Sequence, residues 1–184
     1  MAEPATPQRA MSIEEYLELE RDVPIRHEYV DGWLHAMTGS SRRHNLIAGR
    51  IFRMLADAAD DTSCRVYIND MKVRTPNDRV YYPDIMVVCE PEPDDPYLEH
   101  APCLIVEVAS PSTTDKDRRQ KLTDYQAIPS LDAYLRVDQD RRRVERYYRD
   151  QDGTWLHATL IGDSTVSVPC PETELSIAGI YEGL

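Results

Sequence analysis

The sequence predicts an α/β protein with a mixed central sheet flanked by helices and extended by β-hairpins. Three observations carry this. Two short, wholly apolar runs, Ile85–Cys89 and Cys103–Val106, suit central strands covered on both faces. Ile47, Ile51, Met54, Leu55 and Ala58 recur at helical spacing. Two pairs of strand-like segments enclose Asp31-Gly32 and Asp152-Gly153, residue pairs favoured in tight hairpin turns.

Taken in order, Ser12-Ile-Glu-Glu15 is a capping box, so a helix is expected from about 13 to 20. Arg26–Val30 and Trp33–Met37 form the first hairpin. The periodic segment predicts a helix over about 42–60. Cys64–Arg74 alternates as one strand, and the two apolar runs follow, separated by the acidic loop around Pro93–Pro96. Ser112-Thr113-Thr114 precedes a helical stretch from about 115 to 127, which Pro129 closes. Ala133–Val137 reads as a strand, and Arg143–Tyr148 with Trp155–Leu160 as the second hairpin.

The 184 residues suit one domain, expected over 11–184 after a short disordered lead over 1–10. Hydrophobic residues make up 41% and charged residues 29%, a globular balance. No apolar run approaches the ~20 residues of a membrane span. MAEPATPQRA lacks the apolar segment of a secretion signal, so a cytoplasmic protein is expected. Cys64, Cys89, Cys103 and Cys170 are scattered without a CxxC pair. They read as buried reduced thiols, not as a zinc site or disulfide framework.

The net charge of −12 argues against nucleic acid at first sight. The acid, however, is concentrated in 1–40, 78–100 and 150–184, while 41–77 and 115–149 carry a positive balance. Arg42-Arg43, Arg50, Arg53, Lys116 to Lys121 and Arg141-Arg142-Arg143 leave room for a locally basic face.

The chemistry centres on two carboxylates. Glu107 interrupts Cys-Leu-Ile-Val-Glu-Val-Ala, and a buried carboxylate is costly unless it is paired or ligates a cation. Asp84 heads the run Ile85–Cys89 after Pro83, which removes one ladder hydrogen bond. Two carboxylates on neighbouring strands would make a hard oxygen site for Mg²⁺ or Mn²⁺. Alternatively, Asp84 caps a turn and Glu107 forms a structural salt bridge. Asp117, Lys121 and Tyr125 share one helical stripe, from which Lys121 could reach the carboxylates. The competing reading is an exposed Asp117–Lys121 ion pair.

Tyr82-Pro83-Asp84, Ile105-Val-Glu107-Val-Ala-Ser-Pro-Ser-Thr113 and Asp117-x3-Lys121-x3-Tyr125 together resemble the Uma-two family of bacterial restriction endonucleases, within the PD-(D/E)xK superfamily. Glu14-Glu-Tyr-Leu17, His27-Glu-Tyr-Val-Asp-Gly32, Arg43-His-Asn45, Tyr67-x2-Asp70-Met71 and Ile180-Tyr-Glu-Gly183 also match, so the resemblance spans about residues 10 to 184. It implies a restriction-endonuclease-like core and metal-dependent hydrolysis of DNA. Asp84, Glu107 and the Val108 carbonyl would then hold Mg²⁺ or Mn²⁺. The superfamily lysine falls at Ala109 here, so Lys121 takes its place, with Lys72 as the fallback. Glu28 matches a retained carboxylate that could complete the acidic cluster or pair with Arg26 or Arg43. Asp70 and His44 are further candidates.

Three functions follow: a DNA endonuclease, a non-catalytic binding module for nucleic acid or protein on the same fold, and a nuclease acting on RNA or branched DNA. A homodimer is expected, because two strands call for two active sites and two-fold dimers are the commonest assembly. The tyrosines and Trp155 of the second hairpin could supply contact area.

Overall fold

The computed structural model describes residues 10–109 and 115–184. Most of the expected lead over 1–10 and the helix entry at Ser112-Thr113-Thr114 lie outside the described residues.

Helix α1 (Ile13–Asp22) begins with the expected capping box: Glu15 N–H donates to Ser12 Oγ, and Ser12 N–H donates to the Glu15 carboxylate. Strands β1 (His27–Val30) and β2 (Trp33–Ala36) pair antiparallel. Their turn sets Asp31 at φ 52° and Gly32 at φ 86°, the left-handed pair that a two-residue hairpin requires. A side chain at Gly32 would also collide with Ala10, 2.5 Å from the Cβ position. Helix α2 (Arg42–Ala59) buries Ile47, Ile51 and Leu55 along one stripe.

The expected single strand over 64–74 is two. Strand β3 (Arg65–Ile68) ends at Asn69-Asp70, which take φ of 50° and 49°, and β4 (Lys72–Arg74) leaves for a different sheet. Left-handed residues cannot continue a pleated strand. Strands β5 (Val80–Tyr81), β6 (Ile85–Val88), β7 (Leu98–Glu99) and β8 (Leu104–Ala109) follow. Helix α3 (Asp115–Gln126) leads to β9 (Ala133–Asp138), then to the hairpin of β10 (Arg143–Arg149) and β11 (Trp155–Ile161). The hairpin of β12 (Thr165–Pro169) and β13 (Glu172–Ser176) and the short helix α4 (Ile177–Ile180) complete the chain.

The main sheet has the order β11-β10-β9-β8-β6-β3. Only β8 and β9 run parallel, joined across α3; the other pairs are antiparallel. A second sheet, β2-β1-β5-β4-β7, carries the first hairpin. Side chains alternate across the central strands. Ile85, Val87, Leu104 and Val106 face α2 and the β12–β13 hairpin. Met86, Val88 and Ile105 face Tyr125 in the last turn of α3 and Ile128 just beyond it. Burying such side chains is worth about 1.5–3 kcal/mol each, so β6 and β8 are held rigidly from both sides.

The cysteines are not scattered in space. Nor are they the reduced thiols expected: disulfides join Cys64 to Cys89 and Cys103 to Cys170. The sequence hides this because the residues lie at the ends of three sheet strands and in the β12–β13 turn, which only the tertiary fold brings together.

Candidate active site

Asp84 immediately precedes β6, and Glu107 lies on β8. Ile85 is paired with Val106 in the antiparallel ladder, so Asp84 and Glu107 occupy the next step of that register. Directly opposed residues of an antiparallel pair project to the same face. Asp84 Oδ2 accepts the Val108 N–H at 2.8 Å, and the Asp84 carbonyl accepts the Asn69 N–H at 2.9 Å, which fixes the head of the strand.

Lys121 rises from α3 into this site. Its Nζ donates to Glu28 Oε1 at 2.6 Å and to Glu107 Oε1 at 3.1 Å, and lies 5.2 Å from the centre of the Tyr81 ring. Tyr125, one turn further along α3, donates its hydroxyl to the same Glu107 oxygen at 2.8 Å. Glu28 on β1 thus pairs with Lys121, and not with the alternatives Arg26 and Arg43. Arg26 lies 3.8 Å from Asp70, and Arg43 donates to the Gln139 carbonyl.

Electrostatics follow from this crowding. The Glu107 carboxyl is pushed up to about 7: burial is the main cause, Lys121 opposes it, and the Asp84 and Glu28 carboxylates add to it. For Lys121, burial disfavours the ammonium, but Glu107 and Glu28 outweigh it and hold the pKa well above the usual lysine range. Lys121 is therefore a fixed cation and cannot serve as a base near neutrality.

His44 lines the same cleft. The Ser41 hydroxyl accepts the His44 N–H at the start of α2, which aims the ring so that Nε2 lies 3.2 Å from Asp84 Oδ2. That hydrogen bond raises the imidazole pKa against the opposing effect of burial, with a further contribution from the Val108 backbone. Lys72 is elsewhere: it is buried beside the Tyr82 and Tyr97 rings, 5.5 and 5.7 Å from their centres, and burial lowers its pKa. Asp70 is exposed and stands beside Arg26. Glu28, His44, Asp84, Glu107 and Lys121 all line one cleft of about 890 Å³, with the exposed Trp33 on its rim.

Several buried polar groups were not singled out from the sequence. Asp124 is fully buried and accepts from Arg79 and Tyr81, each at 2.5 Å, holding the tyrosine under Lys121. Glu145 accepts from Arg118, Arg136 and Arg143. Part of the expected basic face is therefore neutralised inside the protein. Position 145 within Arg-Arg-Arg-Val-Glu-Arg was the available signal.

The Uma2 family model, described as "Putative restriction endonuclease", matches residues 13–178. The chain belongs to the Uma2 family. It is 32% identical over 184 residues to the uncharacterized protein slr1290 of Synechocystis sp. (strain ATCC 27184 / PCC 6803 / Kazusa), covering 98% of this chain and 96% of that one. It is also 32% identical over 161 residues to the uncharacterized protein sll1609 of the same organism, covering 85% and 90%. The fold is that of a crystal structure described as a putative nuclease belonging to DUF820 from Anabaena variabilis ATCC 29413. The TM-score is 0.76 at 17% identity, with 93% of this chain and 97% of that chain covered. No helix among the described residues is long and apolar enough to cross a membrane.

Proposed function

We propose that this chain is a divalent-metal-dependent endonuclease that hydrolyses DNA phosphodiester bonds. The observation that carries the reading is the opposition of Asp84 and Glu107 across β6 and β8, beneath a lysine on α3, within a cleft of a Uma2-family protein.

The donor set fits Mg²⁺ or Mn²⁺. Asp84 and Glu107 are hard oxygen donors, and the Val108 carbonyl is the third group of the set proposed to hold the ion. The crowding of three carboxylates in a largely buried volume that holds one lysine supports this reading, since a divalent ion would offset their mutual repulsion. A bound divalent ion would lower the pKa of water and polarise the scissile phosphate.

The protein's own groups then have separate tasks. Lys121, locked in its charged form, stabilises negative charge developing on the phosphoryl oxygens and orients the attacking water. Glu28 and Tyr125 position the ammonium and the Glu107 carboxylate. His44 and the Val108 N–H both hold Oδ2 of Asp84, which leaves Oδ1 for the ion, as partners of ligating groups commonly do. Lys116 and Gln120 line the cleft on the same helix and are placed to meet the phosphate backbone.

A non-catalytic binding module is the second reading. Ala109 stands where the superfamily lysine is expected, and the net charge of −12 disfavours a polyanion. The test is cleavage of plasmid, single-stranded and branched DNA and of RNA with Mg²⁺ or Mn²⁺, using wild type and Asp84→Ala. Cleavage lost in the variant and on chelation supports the nuclease. Metal binding without cleavage of any substrate supports the binding module. Cleavage confined to RNA or branched DNA would move the reading to that substrate.

A further inference from the structure

All four cysteines of the chain meet at one place. Cys64 precedes β3, Cys89 follows β6, Cys103 precedes β8 and Cys170 sits between β12 and β13. Besides the disulfides Cys64–Cys89 and Cys103–Cys170, the Cys89 sulfur lies 3.5 Å from that of Cys103 and 3.4 Å from that of Cys170. The sulfurs of Cys64, Cys89 and Cys170 all lie within 4.8 Å of one another. The group packs against the core cluster that faces α2, with Cys103 and Cys170 buried.

We propose that, in the reduced protein, these four thiols form a structural site for one soft divalent cation, with Zn²⁺ the natural occupant. A tetrahedral zinc with sulfur bonds of about 2.3 Å separates its sulfurs by about 3.8 Å. The contacts between the two disulfides are already close to that spacing. Breaking the two S–S bonds lets each pair open by side-chain rotation toward the same separation. Four sulfurs and no oxygen donor select a thiophilic ion over Mg²⁺. Four protein ligands leave no open position, as in structural sites.

A cellular dithiol delivers two electrons and two protons to each disulfide. Zn²⁺ then displaces the four thiol protons to solvent. The site would clamp the β12–β13 hairpin to the ends of β3, β6 and β8. It is distinct from the carboxylate site: Asp84 and Glu107 lie at the opposite end of β6 and β8 and on the opposite face.

The experiment is Co²⁺ titration of the full-length wild-type chain, reduced and kept anaerobic. We expect one thiolate-bound Co²⁺ per chain, read by sulfur-to-cobalt charge transfer in the near ultraviolet that saturates at one equivalent, with intense tetrahedral d–d bands in the visible and displacement by Zn²⁺; an ion at the carboxylate site gives no such charge transfer. The Cys103→Ala/Cys170→Ala protein should lose the charge-transfer band, while Asp84→Ala should keep it. Reduced wild type that shows no thiolate–cobalt band overturns the proposal without needing any variant to fold. A band that persists without Cys103 and Cys170 overturns it equally. Neither result touches the nuclease reading.

Discussion

Lys121→Met removes the one ammonium that Glu28 and Glu107 share while keeping most of the side-chain volume. The ion pairs are short, at 2.6 and 3.1 Å, and the three side chains retain only 19%, 17% and 16% exposure. Breaking a fully buried pair costs about 3–5 kcal/mol because a charge is left unpaired. The residual solvent contact and the capacity of Glu107 to take up a proton reduce this to about 2–4 kcal/mol. For a chain of this length that corresponds to a fall in Tm of about 5–12 °C, read by calorimetry on metal-free protein at neutral pH. Adding Glu28→Gln should recover part of the loss, since one of the two orphaned carboxylates is then neutral, giving a coupling of about 1–2 kcal/mol. With metal present, Lys121→Met should still bind the ion but cleave more slowly, because the lysine acts on developing charge. A Tm change below about 2 °C would show that the pair is solvated and worth no more than a surface ion pair, and the buried-cation argument would fail.

The Glu107 carboxyl, raised to about 7 from 4.5, gives a pH test. Between those values the unfolded chain has lost a proton that the folded chain retains, so this group makes metal-free stability fall as pH rises from about 4.5 to 7. Glu107→Gln should flatten that part of a Tm-against-pH curve; an unchanged slope would refute the assignment. His44 works the other way round the same site in charge but with the same sign. Its pKa is raised by Asp84, so the pair's stabilisation is complete below about 6.5 and lost as pH climbs through the folded value, and His44→Ala should cost more at pH 5.5 than at pH 8.5. DNA binding should be weak and steeply salt-dependent, carried by Arg42 and the Lys116–Lys121 helix; a binding constant indifferent to salt in gel-shift titrations would contradict a phosphate-backbone footprint. We also expect a homodimer. Trp155 donates its indole N–H to the Gln126 carbonyl and packs under Arg149, so it is partly committed within the chain. The edge strand β11, with Leu156 and Ile161 exposed, is the better surface, and a monomer mass by light scattering at micromolar concentration would reject it.

What the sequence made legible was local. The capping box at Ser12 and Glu15, the Asp31-Gly32 turn and the apolar stripe of α2 each depend on residues within a few positions, and each forms where the pattern places it. The juxtaposition of Asp84 and Glu107 was legible for a related reason: both interrupt apolar runs, and such runs become neighbouring central strands. The break at Asn69-Asp70 was hidden because alternation continues through it and neither residue is glycine. The cysteine cluster, the Asp124 network under Tyr81 and the packing of β12 and β13 depend on contacts between residues far apart in the chain, which no local period encodes. Lys121 fell between these cases. Its stripe with Asp117 and Tyr125 was visible, but that the stripe faces Glu107 follows only from how α3 crosses between β8 and β9.

Anomalous diffraction from crystals soaked in Mn²⁺ tests the carboxylate site directly. We expect a single strong peak between Asp84 and Glu107, with an oxygen of each as ligand, and its loss in Asp84→Ala crystals soaked in the same way. Ordered, well-soaked crystals with no manganese at this position, or with manganese bound elsewhere in the cleft while both carboxylates keep their bonds to Val108 and Lys121, would contradict the proposal that these residues hold the catalytic ion.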